Sequence, residues 1–118
     1  MTWTEICSYE DLVENSGVCA LLHGRQVAIF LVELQGELQI YAVGNYDPLG
    51  GANVLSRGIL GSVGEQIVVA SPLYKQHFDL ITGQCLEQPD VVIPVYGAKL
   101  QHGRVWLSAV TPQQASAA

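Results

Sequence analysis

Apolar residues fall along this chain in short runs broken by Gly, Pro, Asn or Asp, which is the pattern of an all-β domain. Trp3 to Ile6 alternates apolar and polar positions and predicts a first short strand. Ser8-Tyr9-Glu10-Asp11-Leu12 predicts one helical turn, with Ser8 as N-cap and acids beside the positive end of the turn, and Gly17 is expected to end it. Val18 to Leu22 reads as a compact apolar strand, His23-Gly24-Arg25 as a turn, and Gln26 to Leu34 as a longer returning strand. A turn at Gln35-Gly36-Glu37 leads into a strand over Leu38 to Val43.

From Gly44 to Arg57 the periodicity disappears. Asn45, Asp47, Pro48, Gly50, Gly51 and Asn53 are all turn formers, so this is a long loop of the kind that often serves a function. Ile59 to Val63 and Gln66 to Ala70 form a hairpin around Gly64-Glu65. After a second loop, Ser71 to Gln76, come a short strand at His77 to Leu80, a tight turn at Thr82-Gly83, and an extended piece at Gln84 to Leu86. Val91 to Val95 is β-branched, with Pro94 pointing to an edge or a bulge. Tyr96 to Leu100 and Val105 to Leu107 are the last strands, joined by a turn at His102-Gly103. This describes a single β domain over residues 1–110, with a polar tail at 111–118 expected to fray.

Composition narrows the partners. The 118 residues carry 11 acidic and 5 basic side chains, a formal net charge of -6. Arg25, Arg57, Lys75, Lys99 and Arg104 are scattered, so nucleic acid and anionic membranes are excluded as partners. Charged residues make up only 14% of the chain, so part of its surface is expected to be covered by a partner. The start has no basic segment followed by an apolar one, and the longest apolar run, Val27 to Val32, is far below membrane-spanning length. A cytoplasmic protein is expected. The odd set Cys7, Cys19 and Cys85 forms no C-x-x-C motif and reads as three buried, reduced thiols. His23, His77 and His102 lack metal-ligand spacing and are expected to be solvated or bonded locally, while Trp3 and Trp106 are expected in the core or on a sheet face.

The stretch that decides the reading is Ser71-Pro72-Leu73-Tyr74-Lys75-Gln76-His77-Phe78-Asp79-Leu80-Ile81-Thr82-Gly83. It resembles the second cluster-binding loop of Rieske proteins, which runs Cys-Pro-x-His, three residues, Phe, then a short strand ending in Thr-Gly. Pro72, Phe78, Asp79, Thr82 and Gly83 stand at the family's offsets, with Ser71 in place of the Cys and Tyr74 in place of the His. Asn45-Tyr46-Asp47 similarly echoes the first loop, Cys-x-His, with Asn45 for the Cys and Asp47 for the His. A Rieske [2Fe–2S] centre needs two thiolates and two imidazoles. A hydroxyl, a phenol, an amide and one carboxylate cannot supply them.

Rieske-like domains without ligands occur as the small subunit of assimilatory nitrite reductase, and the resemblance to that family covers nearly the whole chain. It is carried by Trp3, Ile6 and Cys7; by Gly17-Val18-Cys19-Ala20-Leu21-Leu22 and Gln26-Val27-Ala28-Ile29-Phe30; by Asn45, Asp47 and Pro48; by Val54-Leu55-Ser56-Arg57-Gly58; and by Ala70-Ser71-Pro72-Leu73 with Lys75, Gln76 and Phe78. The resemblance implies a Rieske-like antiparallel β-sandwich with a small inserted subdomain like the cluster-binding one, holding no metal and no cofactor. It implies a large partner subunit that carries FAD, siroheme and an iron–sulfur cluster and reduces nitrite to ammonium with NAD(P)H. This chain would support that activity without catalytic residues of its own. A free-standing, cluster-less interaction or regulatory module is the alternative.

Two smaller readings concern the partner face. Tyr74, Lys75 and Gln76, at the tip of the second loop, are candidates for facing the large subunit, though Tyr74 could instead fill the space of the missing cluster. Arg57 fits an anion contact, a charge pair across that interface, or a local role bonding carbonyls. Ser71 lacks the frame of a catalytic serine, and Asp47 is most simply a turn former before Pro48.

Overall fold

The computed structural model describes residues 2–109, so the tail expected at 111–118 lies outside the described residues. Eleven strands, β1 to β11, and two 3-10 turns make up an antiparallel fold. The larger sheet has the order β1-β11-β10-β4-β3-β2, from Thr4–Ser8, Arg104–Ser108, Val95–Gln101, Glu37–Gly44, Arg25–Leu34 and Ser16–Leu22. A three-stranded sheet, β7-β8-β9, is built from Ile59–Val63, Gln66–Ala70 and His77–Asp79. The two-residue strands β5 (Tyr46–Asp47) and β6 (Ala52–Asn53) form a separate hairpin.

The uninterrupted apolar run of β3 is explained by burial on both faces. Ala28, Phe30 and Val32 point toward the small sheet and pack with Val69, Phe78, Leu80, Cys85 and Ile93. Val27 and Ile29 point the other way, into a second core with Leu22, Ala42, Val105 and Leu107. Alternate side chains of one strand therefore close two cores, and the small sheet is fixed against the large one through Phe30 and Phe78.

Most expected elements occupy their expected places, with corrections that have local causes. The first strand begins at Thr4 and runs to Ser8, with a bulge between Glu5 and Cys7 that lets it follow β11. The helical turn is a 3-10 turn over Tyr9–Asp11, closed by a capping box between Ser8 and Asp11, and it ends at Leu12. Gly17 does not end it. Gly17 lies within β2, where the Phe30 ring and the Ser56 carbonyl approach so closely that a Cβ would overlap them. Gln84 to Leu86 and Val91 to Pro94 are not strands. They make only isolated bridges, Phe78 to Cys85 and Gln84 to Val92, because Pro89 and Pro94 cannot donate to a continuous ladder.

The cysteines differ from one another: Cys85 is buried, Cys7 half-buried and Cys19 exposed on the edge strand β2, and all are free thiols. Trp3 and Trp106 are half-buried on the sheet surface, where the Lys99 ammonium lies 4.4 Å from the Trp3 ring centroid and 6.0 Å from that of Trp106. His23 and His102 occupy turns with positive φ, whereas His77 lies in β9.

Candidate functional site

The segment between β4 and β7 leaves the large sheet at Gly44 and is anchored at once by Asn45. The Asn45 side chain is buried; its Nδ2 donates to Gln26 Oε1 at 3.0 Å, and its Oδ1 accepts from the Ser56 amide at 2.7 Å. Its backbone carbonyl accepts from the Leu55 amide at 3.1 Å. Asn45 thus joins β3 to the 3-10 turn Leu55–Arg57 and points away from the second loop.

Asp47 points toward the second loop. Its side chain is fully buried, at 0% exposure, yet every lone-pair direction in use has a donor. Oδ1 accepts from the amides of Leu49 at 2.9 Å and Gly50 at 3.0 Å, which makes the turn after Pro48. Oδ2 accepts from the Ser71 hydroxyl at 2.5 Å. A buried carboxylate is tolerated only when its oxygens are bonded in this way.

Ser71 is also buried, and it shapes its own loop. Its amide donates to the Gln76 carbonyl at 2.9 Å, and its carbonyl accepts from the Lys75 amide at 3.0 Å. Lys75 takes the left-handed region at φ 62, so the tip turns sharply. The two loops are also in van der Waals contact, because a Cβ at Gly50 would overlap the Leu73 side chain.

Of the four positions matched to cluster ligands, the structure therefore brings Asp47 and Ser71 together, directs Asn45 elsewhere and turns Tyr74 outward. Tyr74 is 66% exposed, so it does not fill the space of a cluster. With no metal to ligate, nothing draws a phenol inward past the Asp47–Ser71 bond. The residues present do not fit a Rieske [2Fe–2S] centre. One candidate position is a committed amide, two are spent on each other, and the last lies on the surface. Among the described residues there is also no group of three or more His, Cys, Asp or Glu side chains able to hold a metal ion.

The clasped loops present an apolar tip. Beside Tyr74, Tyr46 is 51% exposed and Leu73 43% exposed. Lys75 is exposed and Gln76 half-buried, with its amide oxygen enclosed and lacking a hydrogen-bond partner among the described residues. Arg57 is exposed at the end of the 3-10 turn; its amide donates to the Val54 carbonyl at 2.9 Å, but no hydrogen bond or ion pair ties its guanidinium to local groups among the described residues. A cleft of about 510 Å³ opens next to the tip, between Arg25, Asn45, Tyr46, Asn53, Pro94 and Tyr96. At the base of the second loop, Glu87 accepts from the His77 amide at 2.8 Å and lies 2.6 Å from its ring. Burial raises the Glu87 carboxyl, but these hydrogen bonds outweigh it and hold it below the usual carboxylate range.

Tyr46, Leu73 and Arg25 were not singled out by the sequence reading. For Tyr46 a signal existed: Asn45, Tyr46 and Asp47 alternate in, out, in along an extended segment, which puts an aromatic ring in solvent between two buried polar residues.

Comparison with known proteins agrees with this geometry. Residues 2–108 match the family model of the Rieske-like [2Fe-2S] domain. The nitrite reductase (NADH) small subunit of Salmonella typhimurium is 41% identical over 105 residues, which span 89% of this chain and 95% of that protein. The large subunit of nitrite reductase [NAD(P)H] from Klebsiella oxytoca is 37% identical over 105 residues, but these are only 11% of its length. Among solved structures, a Mycobacterium tuberculosis protein assigned as an NADH-dependent nitrite reductase small subunit superposes with a TM-score of 0.83. Its identity is 44%, over 90% of this chain and 93% of that one.

Proposed function

The chain belongs to the Rieske-like family of nitrite reductase small subunits, and from that membership we propose that it is the accessory small subunit of a cytoplasmic NAD(P)H-dependent nitrite reductase. The observation that carries this reading is the pair of alignments. The same 105-residue domain forms 95% of a small subunit in one organism and 11% of a large subunit in another. A domain that stands alone as a small subunit in one organism and recurs within a large subunit in another is suited to work beside such a large chain.

In this reading residues 1–110 act as one domain, and the large chain reduces nitrite to ammonium in nitrate assimilation. FAD, siroheme and the iron–sulfur cluster reside in the large chain, and this subunit supplies no catalytic group. The chemistry of its own loops supports that division. The Asp47 carboxylate and the Ser71 hydroxyl, the two buried polar groups where the loops meet, are consumed by each other. What remains to act is surface, and Arg57, Tyr74, Lys75 and Gln76 are the candidate contacts to the large chain.

The test is reconstitution. The large chain, purified with and without this subunit, is assayed for nitrite-dependent NAD(P)H oxidation and ammonium release. The expected result is a colourless subunit that co-purifies with the large chain and raises its activity or its half-life. A brown subunit that becomes paramagnetic on reduction would overturn the reading, as would a large chain equally active and durable alone.

A further inference from the structure

The charge of this chain is unevenly placed. Glu33 and Glu37 flank the turn between β3 and β4, Glu14 bridges to Leu31 nearby, and Glu65 lies in the turn between β7 and β8. A groove lined by Asn15, Glu33, Gly61 and Ser62 brings those turns to one end of the molecule. The clasped loops lie at the opposite end, where β3 begins at Arg25 and β4 finishes at Gly44.

The cations are arranged the other way round. Arg104 is paired with Glu5 at 2.6 Å and Lys99 lies over Trp3, which leaves Arg25, Arg57 and Lys75. All three are exposed, and none has an ion pair or side-chain hydrogen bond among the described residues. Arg25 lines the same cleft as Tyr46. Arg57 ends the 3-10 turn that Asn45 holds, and Lys75 stands at the tip of the loop that Ser71 holds. The acids on that flank are Glu87, which His77 occupies, and Asp90. Although the chain carries a net charge of -6, two of its three uncommitted cations, Arg25 and Lys75, lie on the segments that form or border the apolar tip, and the third, Arg57, ends the turn anchored to the first of those loops through Asn45.

We propose that this tip docks on an acidic surface of the large chain, with Arg25, Arg57 and Lys75 ringing an apolar centre of Tyr46, Leu73 and Tyr74. The proposal rests on the small-subunit reading and deepens it. The occupant is the large chain because the Klebsiella oxytoca large subunit carries a similar segment within its own polypeptide, which keeps such a domain beside that chain. The acidic character follows from charge. A neutral or basic partner surface would leave three cations desolvated or repelled beside the apolar contact. The acidic far end is repelled by such a surface, so the field turns the subunit tip-first before contact. Aromatic anchors inside a charged rim are the usual anatomy of an association that forms quickly and specifically.

The experiment is stopped-flow association of the full-length subunit with the purified large chain, at about 50 mM and about 500 mM salt. The triple reversal Arg25→Glu, Arg57→Glu, Lys75→Glu is expected to slow association at least ~10-fold at low salt, and the deficit should shrink at high salt. The milder triple Arg25→Gln, Arg57→Gln, Lys75→Gln should fall between it and the unaltered chain, which guards against a folding artefact. The far-end reversal Glu33→Lys, Glu37→Lys, Glu65→Lys should bind at an unchanged or higher rate. The proposal is overturned if the tip reversal binds normally, or if the far-end reversal slows binding equally. It is also overturned if the tip variants abolish only a head-to-tail dimer of this chain and leave binding to the large chain intact. If the unaltered subunit fails to bind the large chain at either salt, the small-subunit reading itself falls.

Discussion

Ser71→Ala breaks the bond that joins the two loops, together with a longer bond that the Ser71 hydroxyl accepts from the Leu73 amide at 3.3 Å. It removes the only donor to Asp47 Oδ2 among the described residues, while Oδ1 keeps the Leu49 and Gly50 amides. The stranded oxygen belongs to a carboxylate at 0% exposure, so water cannot replace the hydroxyl without opening the loops. Hydrogen bonds to charged groups contribute about 1.5–3 kcal/mol, and leaving one partner buried and unmet puts the cost toward the middle of that range, about 2 kcal/mol. For a domain of this size that corresponds to a fall in Tm of roughly 8 °C. Urea denaturation followed by tryptophan fluorescence gives the free energy directly. Asp47→Ala should cost more, about 3 kcal/mol, because it also releases the turn at Leu49 and Gly50. The double variant should be less unstable than the sum of the singles by about 1–2 kcal/mol, since the bond can be lost only once. A Ser71→Ala loss below ~0.5 kcal/mol, or strictly additive singles, would show that the loops are held by packing alone and would refute the clasp.

Other outcomes follow from the same coordinates. Phe30→Ala should destabilise by about 3–5 kcal/mol in denaturant titration, because that ring joins β3 to the small sheet. Tyr74→Ser should leave stability within ~0.5 kcal/mol, as expected of a side chain 66% exposed, but should weaken co-purification with the large chain. Glu87→Gln should matter only above the acid range. A carboxyl held low when folded stabilises the domain fully above its unfolded value, near 4.5, and loses that contribution as pH falls through the lower folded value. The stability gap between the native chain and Glu87→Gln, measured by urea titration, should therefore be present at about pH 6 and shrink as pH falls below 4.5.

The strands were legible because alternation and turn residues are local signals. β7 and β8 fall where the pattern around Gly64-Glu65 places them, from Ile59 to Val63 and from Gln66 to Ala70. What the pattern could not show was why Val27 to Val32 has no polar member: one strand serves two cores, and that depends on both sheets being in place. The short β5–β6 hairpin and the 3-10 turn at Leu55–Arg57 were hidden in a stretch without periodicity, because Asn45 and Asp47 hold it through side-chain bonds that carry no repeat. At the site, spacing identified both loops and the residues at ligand positions. For Tyr74 it left two outcomes open, facing outward or filling the space of a cluster, because an offset matched to a metal-binding pattern says where a side chain is attached and not where it points; the structure has it outward.

The replacement of ligands also explains why Asp47 is an acid and not merely a small polar residue. In a Rieske centre, metal–ligand bonds from both loops meet on the irons and cross-link them. Without those bonds the loops need another link, and it must be short-range and fully satisfied to sit in a buried site. Asp47 has enough acceptor capacity to form its own turn through Leu49 and Gly50 and still take the Ser71 hydroxyl, which a serine or threonine at the same place could not do as strongly. That link keeps the loops together, with Leu73 packed over Gly50, and leaves Tyr46 and Tyr74 outside. The end of the fold that would present ligand imidazoles in an electron carrier thus presents apolar rings and exposed cations among the described residues, which is what the proposed docking on the large chain requires.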